Sequence, residues 1–220
     1  MMDLSPQQIG DLDPEQLEFL LRRLKKAGRK DGGEPARQAM ARREGPGPWP
    51  LSFAQQRLWF LHQLEHRSAA YHIPIAVDLA GPLRPALLAA ALEGVARRHE
   101  VLRTTFGLVD GQPVQEIRPG LGLSLPEVDL SALDGQEREA ELGRLAAAEA
   151  VRPFDLARGP LLRGVLVRRE AGRFRLFLTL HHVAADNWSV AVLMREVSAL
   201  YGSLATGLAA SLPELPVQYA

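Results

Sequence analysis

The sequence predicts an α/β fold in which a mixed sheet is covered by helices, with a short amphipathic helix ahead of it. Three observations point there. From Leu51 onward the apolar residues switch repeatedly between helical and strand spacing, in the order α-β-α-β-β-α-β-β-α. Turn dipeptides separate the segments at Gly81-Pro82, Asp110-Gly111 and Ala171-Gly172. A composition of 46% hydrophobic and 24% charged residues over 220 residues suits a globular chain with a sizeable core.

The elements follow in order. Residues 1–30 read as a helix: Asp13 is a good N-cap, Pro14 suits the first helical position, and Gln16 can close a capping box. Leu17, Leu20, Leu21 and Leu24 form one apolar stripe, and Gly28 can end the helix. One such helix is marginal alone, so it needs a partner surface and is expected to be a docking or linker segment. Residues 31–50 crowd glycine and proline into a polar stretch, the composition of a flexible linker. Residues 51–220 form the folded part.

There, Ser52 and Gln55 open a helix through about Leu64 as a capping box. Tyr71, Ile73, Ile75, Val77 and Leu79 alternate as a strand, and Pro74 marks it as an edge or irregular strand. A helix spans about Pro85 to Arg98. Strands at 101–106 and 113–117 flank Asp110-Gly111 as a hairpin. A helix covers about 136–151, and strands Leu161–Arg168 and Arg173–Leu180 flank Ala171-Gly172. Val190, Leu193, Met194, Val197, Leu200, Tyr201 and Leu204 then line one face of a long helix.

Composition excludes several chemistries. There is no cysteine, hence no disulfide, thiol nucleophile or thiolate-held metal. Lys+Arg and Asp+Glu are equal at 26 each, so no net field favours nucleic acid or anionic lipid. No run of about 18 apolar residues occurs, and the N-terminus lacks a secretory pattern, so a cytoplasmic location without membrane contact is expected.

The segment LTLHHVAADNWS (178–189) is the richest in chemistry. An apolar strand ends in His181 and His182, and Asp186, Asn187, Trp188 and Ser189 follow at a helix start, where backbone N–H groups converge. Adjacent strand residues point to opposite faces, so one histidine faces a cleft and the other is buried. Alternation leaves open which is which, because Leu176, Leu178 and Leu180 or Phe177 and Thr179 could face the core. A metal would need further ligands, for which Asp186 is the one nearby candidate. Ser189 is expected to cap the following helix, and Trp188, Leu58, Trp59 and Leu61 to be core. His99 and Glu100 are expected to be structural, while His62, His66 and His72 show no constellation.

HHVAADNWS resembles the HHxxxDG-W-S signature of condensation domains, the amide-forming units of nonribosomal peptide synthetases. SFAQQRLWFL (52–61), RRHEVLRTTF (97–106) and FDLARGPLLR (154–163) resemble three further motifs of that family, in order. The resemblance implies a chloramphenicol-acetyltransferase-like lobe, the first of two, whose partner lobe would lie beyond VQYA (217–220). An active site shared between lobes implies that one lobe alone is inactive. It implies donor and acceptor thioesters delivered on the phosphopantetheine arms of carrier domains, with no cofactor bound directly and no metal. His182 matches the catalytic histidine. His181, Asp186, Asn187, Arg103 and Arg57 match supporting positions, the arginines as candidate ion-pair partners of Asp186. Asn187 stands where the family has glycine, a residue implying positive φ or close approach; asparagine tolerates the left-handed region. The C-terminus of an upstream synthetase protein is a candidate partner for the 1–30 helix. An epimerising relative and a non-catalytic docking module are the alternatives; the heterocyclising pattern, with aspartates for the first histidines, is not seen.

Overall fold

The computed structural model describes Gly45, residues 47–120 and residues 122–219; the expected 1–30 helix and most of the 31–50 linker lie outside the described residues. The order is β1 (Trp49–Pro50), α1 (Phe53–Leu64), β2 (His72–Ala80), α2 (Pro85–Arg98), a 3-10 turn (Glu100–Arg103), β3 (Thr104–Val109), β4 (Gln112–Ile117), β5 (Glu127–Asp129), α3 (Gly135–Val151), β6 (Leu162–Glu170), β7 (Arg173–His181) and α4 (Asn187–Thr206). Two sheets form: a three-stranded β1-β4-β3 and a four-stranded β2-β7-β6-β5.

Local chemistry sets the boundaries. Ser52 accepts from the Gln55 N–H while the Gln55 side chain accepts from the Ser52 N–H, so the capping box closes as expected. Asp134 caps α3 through the Glu137 N–H. Asp110 and Gly111, at φ 50 and 74, turn β3 into β4, matching a tight hairpin whose two central residues need positive φ. Pro74 lies in β2, an edge strand of the larger sheet, where its missing N–H costs no ladder bond on the open side.

The larger sheet is covered on both faces. Leu162 and Leu166 of β6 with Phe174, Leu176, Leu178 and Leu180 of β7 pack against Leu88, Ala91, Leu92 and Val95 of α2 and Leu193 and Val197 of α4. Val165, Val167 and Phe177 pack on the opposite face against Leu142, Leu145 and Ala146 of α3. Both faces of β6 and β7 are therefore buried, and the two strands read as near-continuous apolar runs. The α4 stripe packs as expected from Val190 to Tyr201, although Leu204 is exposed.

Several expectations need correction. The expected helix-covered mixed sheet forms as β2-β7-β6-β5, with β5 and β6 parallel, but the β3–β4 hairpin pairs with β1 in a second sheet instead of joining it. Trp49–Pro50, expected in the linker, pairs with Val114 and Gln115, and the Gln115 side chain donates to the Pro50 carbonyl. Residues 101–103, expected as strand, coil into the 3-10 turn, whose end is held by Thr104 Oγ1 donating to the Glu100 carbonyl.

Gly164 of β6 and Gly143 of α3 make opposite predictions. A Cβ on Gly164 would stand 2.6 Å from a Leu178 methyl and 3.0 Å from the Phe177 carbonyl oxygen. Gly143 has nothing within 4 Å. Gly164→Ala is expected to destabilise by about 1–3 kcal/mol, and Gly143→Ala to stabilise by about 0.5–1 kcal/mol. Urea unfolding of both variants checks the signs.

Candidate active site

The site is built on the end of β7. Its backbone is pinned from both sides: the His181 N–H donates to the Leu161 carbonyl at 3.1 Å, and the His182 N–H donates to the Tyr71 carbonyl at 2.8 Å. With register fixed to the last residue, alternation assigns the faces. Leu180 points into the α2/α4 core, His181 to the opposite face, and His182 back to the side of Leu180.

His181 is 2% exposed. Its Nδ1 accepts the Val183 N–H at 3.1 Å, which leaves the proton of the neutral ring on Nε2. Burial pushes its pKa down to about 3, and His62, His72, His182 and Arg163 push in the same direction. This histidine is a neutral structural acceptor that shapes the turn carrying its neighbour. The turn closes with the Ala184 N–H on the His181 carbonyl at 2.9 Å.

A histidine constellation absent from the expectations surrounds it. β2 and β7 pair in a register that sets His72 opposite His181, with ring centroids 6.0 Å apart. His62 of α1 lies 6.0 Å from His181 and 5.4 Å from His66. His72 Nδ1 donates to the Ala150 carbonyl at 2.8 Å, while its buried Nε2 has no hydrogen-bond partner among the described residues. Burial holds the pKa values of His72 and His62 below the ordinary histidine value, with His66 adding to the effect on His62. The sequence holds a signal for this: Ile73, Ile75, Val77 and Leu79 face the helices, which sends His72 to the face of His181. No group of three His, Asp or Glu side chains among the described residues is arranged to hold a metal ion.

His182 is exposed and opens onto a cavity of about 350 Å³ that it shares with His99, Val101, Trp188, Val192 and Tyr219. Asp186 caps α4: its Oδ1 accepts the Ser189 N–H at 2.8 Å and the Ser189 hydroxyl at 2.7 Å. These bonds hold its carboxyl below the usual range. Ser189 is thus a donor to the cap and not the cap itself. Asn187 begins α4 without positive φ, which among the non-glycine described residues occurs at Asp110 alone; the left-handed backbone considered for it does not form. Trp188, expected in the core, is 80% exposed at the cavity, because the first turn of α4 projects it away from the sheet.

The structure does not bring Arg57 or Arg103 to Asp186. Arg103 pairs with Glu100 at 3.4 Å and donates to the Arg118 carbonyl at 2.6 Å. Arg57 lies exposed on α1 and forms no ion pair among the described residues. His99, expected to be structural, lines the cavity with its Nε2 2.7 Å from Glu196, a carboxylate of α4 that is 3% exposed and also pairs with Arg98 at 3.2 Å. Glu196 falls on the polar side of the α4 pattern, so spacing alone gives no sign of its burial.

The helix-covered sheets make a mixed α/β, chloramphenicol-acetyltransferase-like fold. The starter condensation domain of the rhizomide synthetase RzmA shares it at a TM-score of 0.72 and 25% identity, over 78% of this chain and 41% of that one. The first condensation domain of the CDA synthetase does so at 0.69 and 25%, over 76% and 43%. The family model of the condensation domain matches residues 47–220, and the chain belongs to that family. The phosphinothricin tripeptide synthetase PhsC of Streptomyces viridochromogenes is 43% identical over 97% of this chain and 19% of its own length. The malpibaldin synthetase of Mortierella alpina is 44% identical over 78% of this chain and 3% of its own. The chain thus spans a small part of these synthetases and about two fifths of the solved domains.

Two predictions follow from the two ends of the turn. Asp186→Ala is expected to cost about 1 kcal/mol, whereas Asp186→Asn, an equally good cap, costs little; thermal unfolding separates them. A histidine kept neutral by folding takes up its proton more readily when unfolded. Its contribution is intact above about pH 6.5 and declines as pH falls toward about 3. Imidazole nitrogen spectra at about pH 5 are expected to show His181 still neutral with its proton on Nε2; a charged ring would contradict its assignment.

Proposed function

We propose that this chain supplies the histidine-bearing lobe of a condensation domain that forms amide bonds in nonribosomal peptide synthesis. The observation that carries the reading is the placement of His182: exposed in a cavity, directly after a strand buried from Leu176 to His181, within the family's motif. PhsC is by name a tripeptide synthetase, which fits the same chemistry.

In this reading, the acceptor amine attacks the donor thioester carbonyl. A C–N bond forms, the C–S bond breaks, and the proton lost from nitrogen offsets the charge on the departing thiolate. A free α-amino group has a pKa near 7.7–8.0, so an appreciable fraction is neutral at physiological pH. His182 therefore contributes by orienting the amine and by accepting its proton as the bond forms. Asp186 acts through the turn, holding the start of α4 against the histidine strand. The first backbone N–H groups of α4, including that of Asn187, lack intrahelical acceptors and can donate to the thioester oxygen.

Both substrates arrive on phosphopantetheine arms of carrier domains, in the cytoplasm. No helix among the described residues is long and apolar enough to cross a membrane. The 1–30 segment receives the C-terminus of an upstream synthetase protein.

In the full-length protein, His182→Ala is expected to slow amide formation by about 10²-fold or more while leaving carrier binding unchanged. Single-turnover mass spectrometry of the carrier-bound product measures the first and titration calorimetry the second. An unchanged rate would contradict the reading.

A further inference from the structure

The segment after α4 returns across the end of α2 and reaches the His182 cavity. Arg98 donates a guanidinium N–H to the Pro213 carbonyl. Gln218 then makes two bonds to backbone: its Oε1 accepts the Glu100 N–H at 3.1 Å, and its Nε2 donates to the Arg98 carbonyl at 3.0 Å. Arg98 is the last residue of α2, so its carbonyl is among those that a helix end leaves without an intrahelical donor. A side-chain carboxamide offers donor and acceptor together, and Gln218 uses both. The next residue, Tyr219, lines the cavity, with its hydroxyl 3.3 Å from Ser52 Oγ at the cap of α1.

We propose that Gln218 is a positioning residue: by pinning the segment from Pro213 to Tyr219 onto the end of α2, it holds the Tyr219 ring as a wall of the cavity beside His182, and that wall selects the acceptor's side chain. The proposal rests on the amide-forming function above. An α-amino acid bears its side chain on the carbon next to the reacting amine. When the amine lies at His182, that side chain enters the adjoining space, which is walled by Val101, Val192 and the two aromatic rings. Such a wall suits an apolar side chain, excludes water around it, and touches none of the reacting atoms.

The test uses the full-length protein with glycyl and leucyl thioesters of pantetheine as acceptors. Gln218→Met keeps side-chain length and removes both bonds. It is expected to raise KM for the leucyl acceptor about fivefold, the loss typical of a net hydrogen bond, with kcat little changed and the glycyl acceptor unaffected. Tyr219→Ala is expected to do the same, and Tyr219→Phe to recover most of the loss. The double variant is expected to be no worse than either single one, because both act through one ring. Additive effects, a fall in kcat alone, or equal losses for glycyl and leucyl acceptors would overturn the proposal. Should Gln218→Met fail to fold, the exposed Tyr219→Ala decides it: an unchanged leucyl KM rules out the wall. Unaltered kinetics in these variants beside an inactive His182→Ala defeats this proposal alone. An active His182→Ala defeats the function beneath it as well.

Discussion

The site depends on the register of β7 being held to its last residue. A strand whose end frays loses alternation, and with it the certainty that one histidine is inside and the next outside. Here the bonds from the His181 and His182 N–H groups to Leu161 and Tyr71 grip the strand end from both neighbours. A slip of one residue would exchange Leu176, Leu178 and Leu180 for Phe177, Thr179 and His181 against α2 and α4. The apolar match on both faces is what prevents that slip, so the core of the lobe and the placement of His182 are one constraint.

The second histidine of the pair owes its position to the neutrality of the first. His181 can accept the Val183 N–H only when its Nδ1 is unprotonated, and that bond shapes the turn after β7. Its setting of His62, His72, Phe154 and Arg163 offers it no carboxylate and disfavours charge. Asp186 fastens the other end of the turn at the start of α4. The loop between is short enough that local bonds at its two ends define it.

Much of this is legible in the sequence, for identifiable reasons. Periodicity and turn chemistry locate the helices and long strands, because the core is layered and each element faces it with one stripe or alternating face. The two-residue β1, the three-residue β5 and the 3-10 turn at 100–103 escape, being too short to show a period. Alternation along β7 alone cannot choose a face, since both faces are buried; the choice needs β2, where Ile73 to Leu79 have one apolar side. Trp188 reads as core because an aromatic residue within an apolar helix pattern resembles core, whereas its place in the first turn turns it outward. Of the His62/His72/His181 cluster only the face of His72 is legible, from the β2 alternation; the buried Glu196 and the Gln218 clamp join residues distant in sequence, so composition and spacing carry no trace of them.

The central claim is that His181 and His182, adjacent in the chain, occupy opposite environments. Carbethoxylation of the folded protein at neutral pH, mapped by peptide mass spectrometry, tests it directly, because the reagent needs an accessible imidazole. The account predicts rapid modification of His182 and protection of His181 until the protein unfolds. Equal reactivity of the two, or faster reaction at His181, would contradict it.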